Sequence, residues 1–475
     1  MEKSVRSRLR VNLIGDRAFY ARVFAIVVPI IIQNTVSNVV NLLDNVMVGR
    51  VGTLEMSAVA IVNQLFFVFN LCIFGGLAGA GIFATQYAGA DDDEGVRYCF
   101  RMKWLIAGAM IATAMAVLLA FQDKLIAMYL AEGTAENEAE LTMGYATGYL
   151  RVMLVGILPF AISQVYASTL REVGETRLPM IASIAAILVN LVFNYLLIFG
   201  SLGFPKLGVI GAAIATVLSR YVELTIIAVY THVKQGRFPF IQGAYRSPHI
   251  PGELFGSIMR RGMPLLINEF LWSSGMAMLL QCYSVRGLSV VASANISTTV
   301  SNLFNVVFLS MGNAVAIMVG QALGAGRMAE AKRTAWRLIA LSVASSVVMG
   351  AIMQVFAPLV PQIYNTEEAV RQTATQFLRI VAVMMPVFSF SHCCYFTMRS
   401  GGRTWITFLF DSAYTWGLSI PVAWLLANRS LMGIVPLYFT VQAMDIIKAI
   451  LGFVLVKKGV WVRNIVSADV QEDAC

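Results

Sequence analysis

Long runs of apolar residues, each closed by a short polar stretch, recur along the whole chain. Because the hydrocarbon core of a bilayer is about 30 Å thick, a helix needs roughly 20 apolar residues to cross it, and each run reaches that length. The pattern therefore predicts an all-α integral membrane protein with twelve transmembrane helices. The predicted spans are approximately 22–45, 56–86, 100–121, 141–168, 179–200, 208–231, 257–283, 290–322, 335–356, 373–398, 405–427 and 432–456.

Polar, proline and glycine residues recur at matching places in the two halves of the chain. In so apolar a sequence these coincidences carry more weight than matched Ile or Phe residues. They indicate a parallel duplication, and so two pseudo-symmetric six-helix lobes. A shift of 235 residues pairs Pro29 with Pro264, Gly52 with Gly287, Asn70 with Asn305, Gln86 with Gln321 and Gly89 with Gly324.

A second shift, of 228 residues, aligns the sequence TLREVGETR with TMRSGGRTW, after the fourth span of each half. Between the halves lies the densest mixture of proline, glycine and basic residues, which is typical of a linker. We therefore divide the chain into an N-terminal six-helix lobe at 1–231, a cytoplasmic interlobe linker at 232–256, and a C-terminal six-helix lobe with a short cytoplasmic tail at 257–475.

Composition agrees with the membrane assignment, and charge predicts the orientation. Of the 475 residues, 58% are hydrophobic and 13% charged, and the mean hydropathy is +0.73. Of the 35 Lys and Arg residues, 25 lie in the N-terminal arm, in the C-terminal tail, or in and beside the loops after even-numbered spans. By the positive-inside rule, both termini are cytoplasmic. The net charge of +9 therefore reports topology, and we expect no nucleic-acid partner.

Four motifs follow one another along the chain: P-x3-Q at Pro29 and Gln33, D-x4-G-R-x-G from Asp44 to Gly52, Q-x-x-G-A from Gln86 to Ala90, and the duplicated T-x-R-x-x-G-x-T. With them, essentially the whole chain resembles the multidrug and toxic compound extrusion (MATE) transporters, within the multidrug/oligosaccharidyl-lipid/polysaccharide flippase superfamily. The resemblance implies two lobes forming a V-shaped cleft. It also implies a secondary active antiporter of the cell (inner or plasma) membrane, which exports organic cationic or amphipathic compounds in exchange for protons or sodium ions by alternating access.

Asp44 is the first candidate functional residue, because a lone carboxylate in an apolar span is costly unless it is paired, hydrated or protonated. Alternatively, the Asp44 side chain caps the turn that follows span 1. The resemblance implies cation coupling by Asp44 together with Asn190 and Asn194, whose four-residue spacing puts both on one helix face. Some family members have an Asp where Asn194 stands, so the coupling ion is either H+ or Na+. We expect Asp44 to alternate between charged and neutralised states, no cofactor, and no metal other than a sodium ion at Asp44.

Glu269 is the corresponding candidate in the second half, five residues after Pro264 in span 7. Several members of the family use a span 7 Glu about one turn further along, where this chain has Trp272. One turn keeps a side chain on a similar face, so the resemblance extends the cation-coupling role to Glu269. A hydrogen-bonded residue that fixes helix packing is the other interpretation.

We expect polar and aromatic side chains of both halves to line the substrate cleft. Aromatic faces attract organic cations, and amides that face hydrocarbon are costly, so the Asn residues of the spans should point inward. Alternatively, these side chains pack against lipid or neighbouring helices. The predicted cleft residues are Gln33, Asn70, Trp272, Tyr283, Asn302 and Asn305.

The remaining charges within the spans are interpreted as mainly structural. Arg220 with Glu223, and Asp445 with Lys448, have the three-residue spacing of local helix pairs. Asp411 is predicted to cap the cytoplasmic loop that follows span 10.

Two other functions were weighed against export. A flippase for lipid-linked sugar or cell-wall precursors would favour a strongly basic cleft, whereas only four basic residues lie within the spans. An enzyme would need a clustered catalytic set, yet the three histidines are dispersed and no nucleophile, phosphate-loop or metal-ligand motif appears. We therefore expect a transporter and not an enzyme, with a small organic substrate and the lipid bilayer as partners, working as a monomer.

Overall fold

The structure, a computed structural model, describes residues 13–129, 136–364 and 366–467. These residues form twelve long helical segments and three short 3₁₀ turns, with no strand among them. The predicted all-α, twelve-helix architecture is confirmed. The helices are α1 Arg17–Gly49, α2 Thr53–Gly89, α3 Asp93–Ala127, α4 Glu136–Glu172, α5 Arg177–Phe199, α6 Val209–Val233, α7 Gly252–Ser284, α8 Leu288–Gly324, α9 Met328–Phe356, α10 Glu368–Ser400, α11 404–429 and α12 Ile434–Lys458.

Helix α11 departs from regular α-helical geometry in its middle. It begins as an α-helix over Thr404–Phe408, continues through two π-helical segments, Leu409–Ala413 and Thr415–Ser419, and ends as an α-helix over Ile420–Arg429. The other eleven helices are each long and apolar enough to cross a membrane. Because π-helical turns are rare and occur often at functional sites, the residues of α11 are candidates for a functional role.

The duplicated T-x-R-x-x-G-x-T motif builds the same helix end twice. Helices α4 and α10 stop just before glycines in the left-handed region, Gly174 at φ 92° and Gly402 at φ 72°, which residues with a Cβ rarely adopt. The Thr169 hydroxyl donates to a main-chain oxygen one turn back at 2.8 Å, and the Thr397 hydroxyl makes the same bond at 2.7 Å. The duplication therefore extends from sequence to hydrogen bonding.

The contacts divide the chain into two compact units. The first contains residues 13–31, residues Thr85–Asp92, and the described residues from Met259 onward. The second contains Ile32–Ala84 and Asp93–Ile258, and therefore also the predicted linker at 232–256. The early part of α1 and the end of α2 thus group with the second half of the chain.

In the first unit, the repeated Gln and Gly residues at the ends of α2 and α8 pack reciprocally. A Cβ on Gly89 would overlap the main chain of Gln321, and a Cβ on Gly324 would overlap the main chain of Gln86. Gln86 is fully buried, and its Nε2 donates to the main-chain oxygen of Ser400 at 2.9 Å. The repeated Q-x-x-G pair is therefore explained by close helix contact.

In the second unit, the linker packs against α3. The Arg101 guanidinium donates to the main-chain oxygens of Gly243 and Ala244, both at 2.8 Å, and of His249 at 2.9 Å. Phe240 is buried beneath the linker turn. Burial also raises the pKa of the Tyr245 hydroxyl above its ordinary value.

Candidate functional site

The predicted cation-coupling residues of the first half meet in the second unit. Asp44 lies near the end of α1, and the four-residue spacing of Asn190 and Asn194 puts both amides on one face of α5. The Asn194 Nδ2 donates to Asp44 Oδ1 at 2.7 Å and to Asn190 Oδ1 at 3.2 Å. Asn190 and Asn194 are buried. We name Asp44, Asn190 and Asn194 the α1–α5 centre.

The Asn190 amide can face the carboxylate in either of two ways. In one, its Nδ2 donates to the Thr216 hydroxyl of α6 at 3.3 Å, and its oxygen faces Asn194. In the other, the amide is rotated by half a turn, so that its NH2 group donates to Asp44 Oδ2 at 3.1 Å and its oxygen accepts from Thr216 at 3.3 Å. Because a hydroxyl both donates and accepts, Thr216 satisfies both orientations.

One acceptor of the α1–α5 centre is left unsatisfied. The Asn194 Oδ1 is buried and has no hydrogen-bond partner among the described residues. A buried acceptor without a partner costs about 1 to 3 kcal/mol, which a bound cation would offset. A carboxylate and amide oxygens are also the ligand types that hard cations prefer. The centre is therefore equipped for a proton on Asp44 or for a monovalent metal ion between these oxygens.

A cavity of about 300 Å³ opens beside the α1–α5 centre, within the same unit. Asp44, Asn194 and the predicted cleft residue Asn70 lie in its wall. The rest of the wall is mostly aromatic or apolar, which suits an organic guest. Its aromatic members are Phe66, Phe67, Phe69, Tyr149 and Phe160.

Sequence reasoning missed Arg220 as a residue of this cavity. Its guanidinium lies over the Phe160 ring, 4.9 Å from the ring centre, and Nη1 is 3.4 Å from a Glu223 carboxylate oxygen. The predicted local pair of Arg220 with Glu223 is therefore confirmed, but Arg220 also lines the wall that Asp44 lines. A basic residue within an apolar span is a functional candidate by default. Arg220 was interpreted only as the partner of Glu223, so this signal was not used.

The other predicted site residues are not among the residues that line this cavity. Gln33 is half-buried on α1 and is not among the residues of the cavity wall. Glu269, Trp272, Tyr283, Asn302 and Asn305 belong to the first unit. Their roles stay predictions.

Those five residues differ in environment. Trp272 and Asn302 are exposed, whereas Glu269 is half-buried. The Tyr283 ring is buried, with its centre 5.4 Å from that of the Tyr438 ring. The Asn305 side-chain oxygen is buried and has no partner in the part of the chain that the structure describes.

A second half-buried carboxylate, Asp411 on α11, lies in the first unit. The prediction that it caps the loop after span 10 is wrong. The predicted partner of Lys448, Asp445, acts on it electrostatically but is not its contact partner. The Lys448 ammonium is instead 2.6 Å from Asp411 Oδ1, because the packing of α11 and α12 makes Asp411 its neighbour in space. The Asn268 Nδ2 donates to the other carboxylate oxygen, Asp411 Oδ2, at 3.1 Å.

No three His, Cys, Asp or Glu side chains gather into a metal-binding group within residues 13–129, 136–364 and 366–467. The described parts of the apolar helices instead carry acidic and basic side chains, among them Asp44, Asp411 and Lys448. This arrangement suits the binding and release of ions and small molecules.

Twelve apolar helices in two repeated halves, with an isolated carboxylate beside a cavity, define a multi-span membrane transporter. The chain belongs to the MatE family, whose model matches residues 29–196 and 264–425. These two segments fall in the two halves found by the internal repeat. Membership places the chain among transporters.

Similar proteins extend over nearly the whole chain. The "Probable multidrug resistance protein NorM" of Thermotoga maritima is 25% identical over 445 residues, which is 92% of each chain. The "Probable multidrug resistance protein YoeA" of Bacillus subtilis is 27% identical over 408 residues, 84% of this chain and 85% of the relative. A crystal structure of a MATE protein in complex with MaL6 has a TM-score of 0.83 at 22% identity, and the match covers 95% of this chain and 98% of that one. It has the same fold.

Proposed function

We propose that the protein is a multidrug efflux antiporter of the cell membrane, which exports amphipathic or cationic organic compounds in exchange for protons or sodium ions. One observation carries the proposal: the Asp44 carboxylate belongs both to the α1–α5 centre and to the wall of the aromatic cavity. An ion at Asp44 and a substrate in the cavity therefore act on the same group. The names of the relatives from Thermotoga maritima and Bacillus subtilis support the substrate class.

Exchange follows from competition at Asp44. When the carboxylate is charged, it attracts a cationic group of a substrate held among the aromatic rings of the cavity wall. When a proton or sodium ion neutralises the carboxylate, that attraction is lost and the substrate is released. Reciprocal binding of this kind couples the two flows, provided that the transporter opens alternately to the two sides of the membrane.

The cavity also argues against the flippase alternative. A lipid-linked diphosphate would need several basic groups, whereas the cavity wall offers the single guanidinium of Arg220 beside the carboxylate of Asp44. The protein works as a monomer in this proposal, with both termini cytoplasmic, and it uses no cofactor.

The test is efflux of a fluorescent organic cation from vesicles that contain the purified protein, with a proton gradient or a sodium gradient imposed. Wild type should respond to one gradient, which identifies the ion. Asp44→Asn should abolish the response, because an amide cannot alternate between charged and neutral states. Asp123→Asn, at an exposed carboxylate of α3, is the matched control and should behave as wild type. Ion-driven efflux that survives Asp44→Asn would refute the proposal.

A further inference from the structure

Asp411, Lys448 and Asn268, from α11, α12 and α7 of the first unit, form a second carboxylate–amide group, which we name the α7–α11–α12 centre. The two Asp411 oxygens are bound separately, Oδ1 by the Lys448 ammonium at 2.6 Å and Oδ2 by the Asn268 amide at 3.1 Å. The Ser412 hydroxyl fixes that amide, because it donates to Asn268 Oδ1 at 2.7 Å. Asn268 and Ser412 are buried.

The α7–α11–α12 centre has the same two ligand types as the α1–α5 centre. In each centre, a carboxylate accepts from the NH2 group of an asparagine. They differ in the remaining partner. The α1–α5 centre keeps an unsatisfied amide oxygen, whereas the α7–α11–α12 centre has a lysine ammonium against its carboxylate.

The backbone of α11 is π-helical where it carries Asp411 and Ser412. Asp411 and Ser412 lie within one π-helical segment, and the second follows from Thr415. A π-turn contains an extra residue and shifts the side chains that it carries relative to the rest of the helix. Here Asp411 and Ser412 both contact Asn268 on α7, and Asp411 also contacts Lys448 on α12.

The ammonium of Lys448 is held on more than one side. Its Nζ lies 5.4 Å from the centre of the Phe410 ring, in addition to its contact with Asp411. The two charged side chains are largely buried, 13% exposed for Lys448 and 15% for Asp411. The other ionisable residues that act electrostatically on Lys448 are Asp445 and Tyr414. Asp411 interacts electrostatically with Glu269, Tyr395, His392 and Asp445 on the neighbouring helices.

We propose that the α7–α11–α12 centre is a monovalent-cation site whose permanent occupant is the Lys448 ammonium. Removing that ammonium opens the site to a small free cation, sodium or a small primary ammonium ion. As a consequence, which rests on the proposed function, the native protein exchanges its coupling ion at the α1–α5 centre alone.

The experiment compares thermal unfolding of the purified, full-length protein in sodium chloride, methylammonium chloride and choline chloride at equal ionic strength. All proteins carry Asp44→Asn, so that the α1–α5 centre does not respond. Lys448→Ala should raise the unfolding temperature in sodium or methylammonium by roughly 3 °C over choline, which is too large to enter. With Lys448 intact the three salts should give the same temperature, and adding Asp411→Asn to Lys448→Ala should abolish the difference.

Equal unfolding temperatures of Lys448→Ala in the three salts would overturn the proposal, since a purely structural ion pair destabilises the protein equally in all of them. Lys448→Gln, which keeps most of the length of the side chain, is the second variant and should show the same order of salts. Lys458→Ala, at an exposed lysine of α12, should show no salt preference. Ion binding is read here without efflux, so a failure of the proposed transport activity would leave this result intact.

Discussion

The two carboxylate centres show how similar side chains can be made exchangeable in one place and fixed in another. Asp44 is held by amides, and a neighbouring amide oxygen lacks a partner. Asp411 has a bonded partner at each oxygen, one of them a cation. A carboxylate in an apolar span needs compensation in either case. At Asp411 the compensating cation is the Lys448 side chain, which cannot leave. At Asp44 it would be a free ion, which can.

The surroundings of the two centres differ in the same direction. Asp44 reaches a cavity of about 300 Å³ with aromatic walls. Asp411 is 15% exposed, its two oxygens are bonded by Lys448 and Asn268, and Ser412 supports Asn268. We infer that the α1–α5 centre serves exchange and that the α7–α11–α12 centre serves the packing of its three helices.

The largest expected difference between the centres is in stability. Asp411→Asn removes the carboxylate that contacts the largely buried Lys448 ammonium, and losing one partner of a buried ion pair costs about 3 to 5 kcal/mol. Among the described residues, Asp44 has no ion-pair partner within contact distance, so Asp44→Asn should cost far less. Chemical unfolding in detergent measures both. Asp411→Asn/Lys448→Met should recover most of the loss. Equal destabilisation by the two Asp→Asn substitutions would contradict the distinction between the centres.

The next test concerns a place where the two halves are alike. Gly89→Ala and Gly324→Ala each put a Cβ into the main chain of the partner helix, and overpacking of this kind costs typically about 1 to 3 kcal/mol. Because the contact is reciprocal, the two losses should be similar. Gly108→Ala, with no atom within 4 Å of the new Cβ, is the matched control and should cost nothing. A large loss from only one of the pair would show that the repeat is not symmetric there.

The sequence predicted the helices well because the length of an apolar run is a local property. It also predicted the twofold repeat, and the structure reproduces the repeat in the bonds of Thr169 and Thr397. The π-helical segments of α11 had no such local signal. They lie inside an apolar run, and their geometry depends on the side chains of α7 and α12 that α11 contacts.

The candidate site was predictable only as far as residues on one helix share a face. The spacing of Asn190 and Asn194 gave their common direction, and the family resemblance linked them to Asp44. Neither could show Thr216 as the support of Asn190. Lys448 was assigned to its neighbour in sequence, Asp445, although its partner in space is Asp411, 37 residues away. Partners on different helices depend on packing, which a single sequence does not specify.

The smallest expected effect concerns the hydroxyl group that bonds an asparagine in each centre. Thr216→Val removes the hydroxyl that bonds the Asn190 amide, and losing one such hydrogen bond costs about 0.5 to 1.5 kcal/mol. It should therefore raise the ion concentration that gives half-maximal efflux by roughly 2- to 13-fold. Ser412→Ala removes the equivalent support of Asn268. It should leave the ion dependence unchanged, because the cation at Asp411 is covalently part of the chain. The measurement is the ion concentration that gives half-maximal efflux, and a similar shift in both variants would mean that the two centres exchange ions alike.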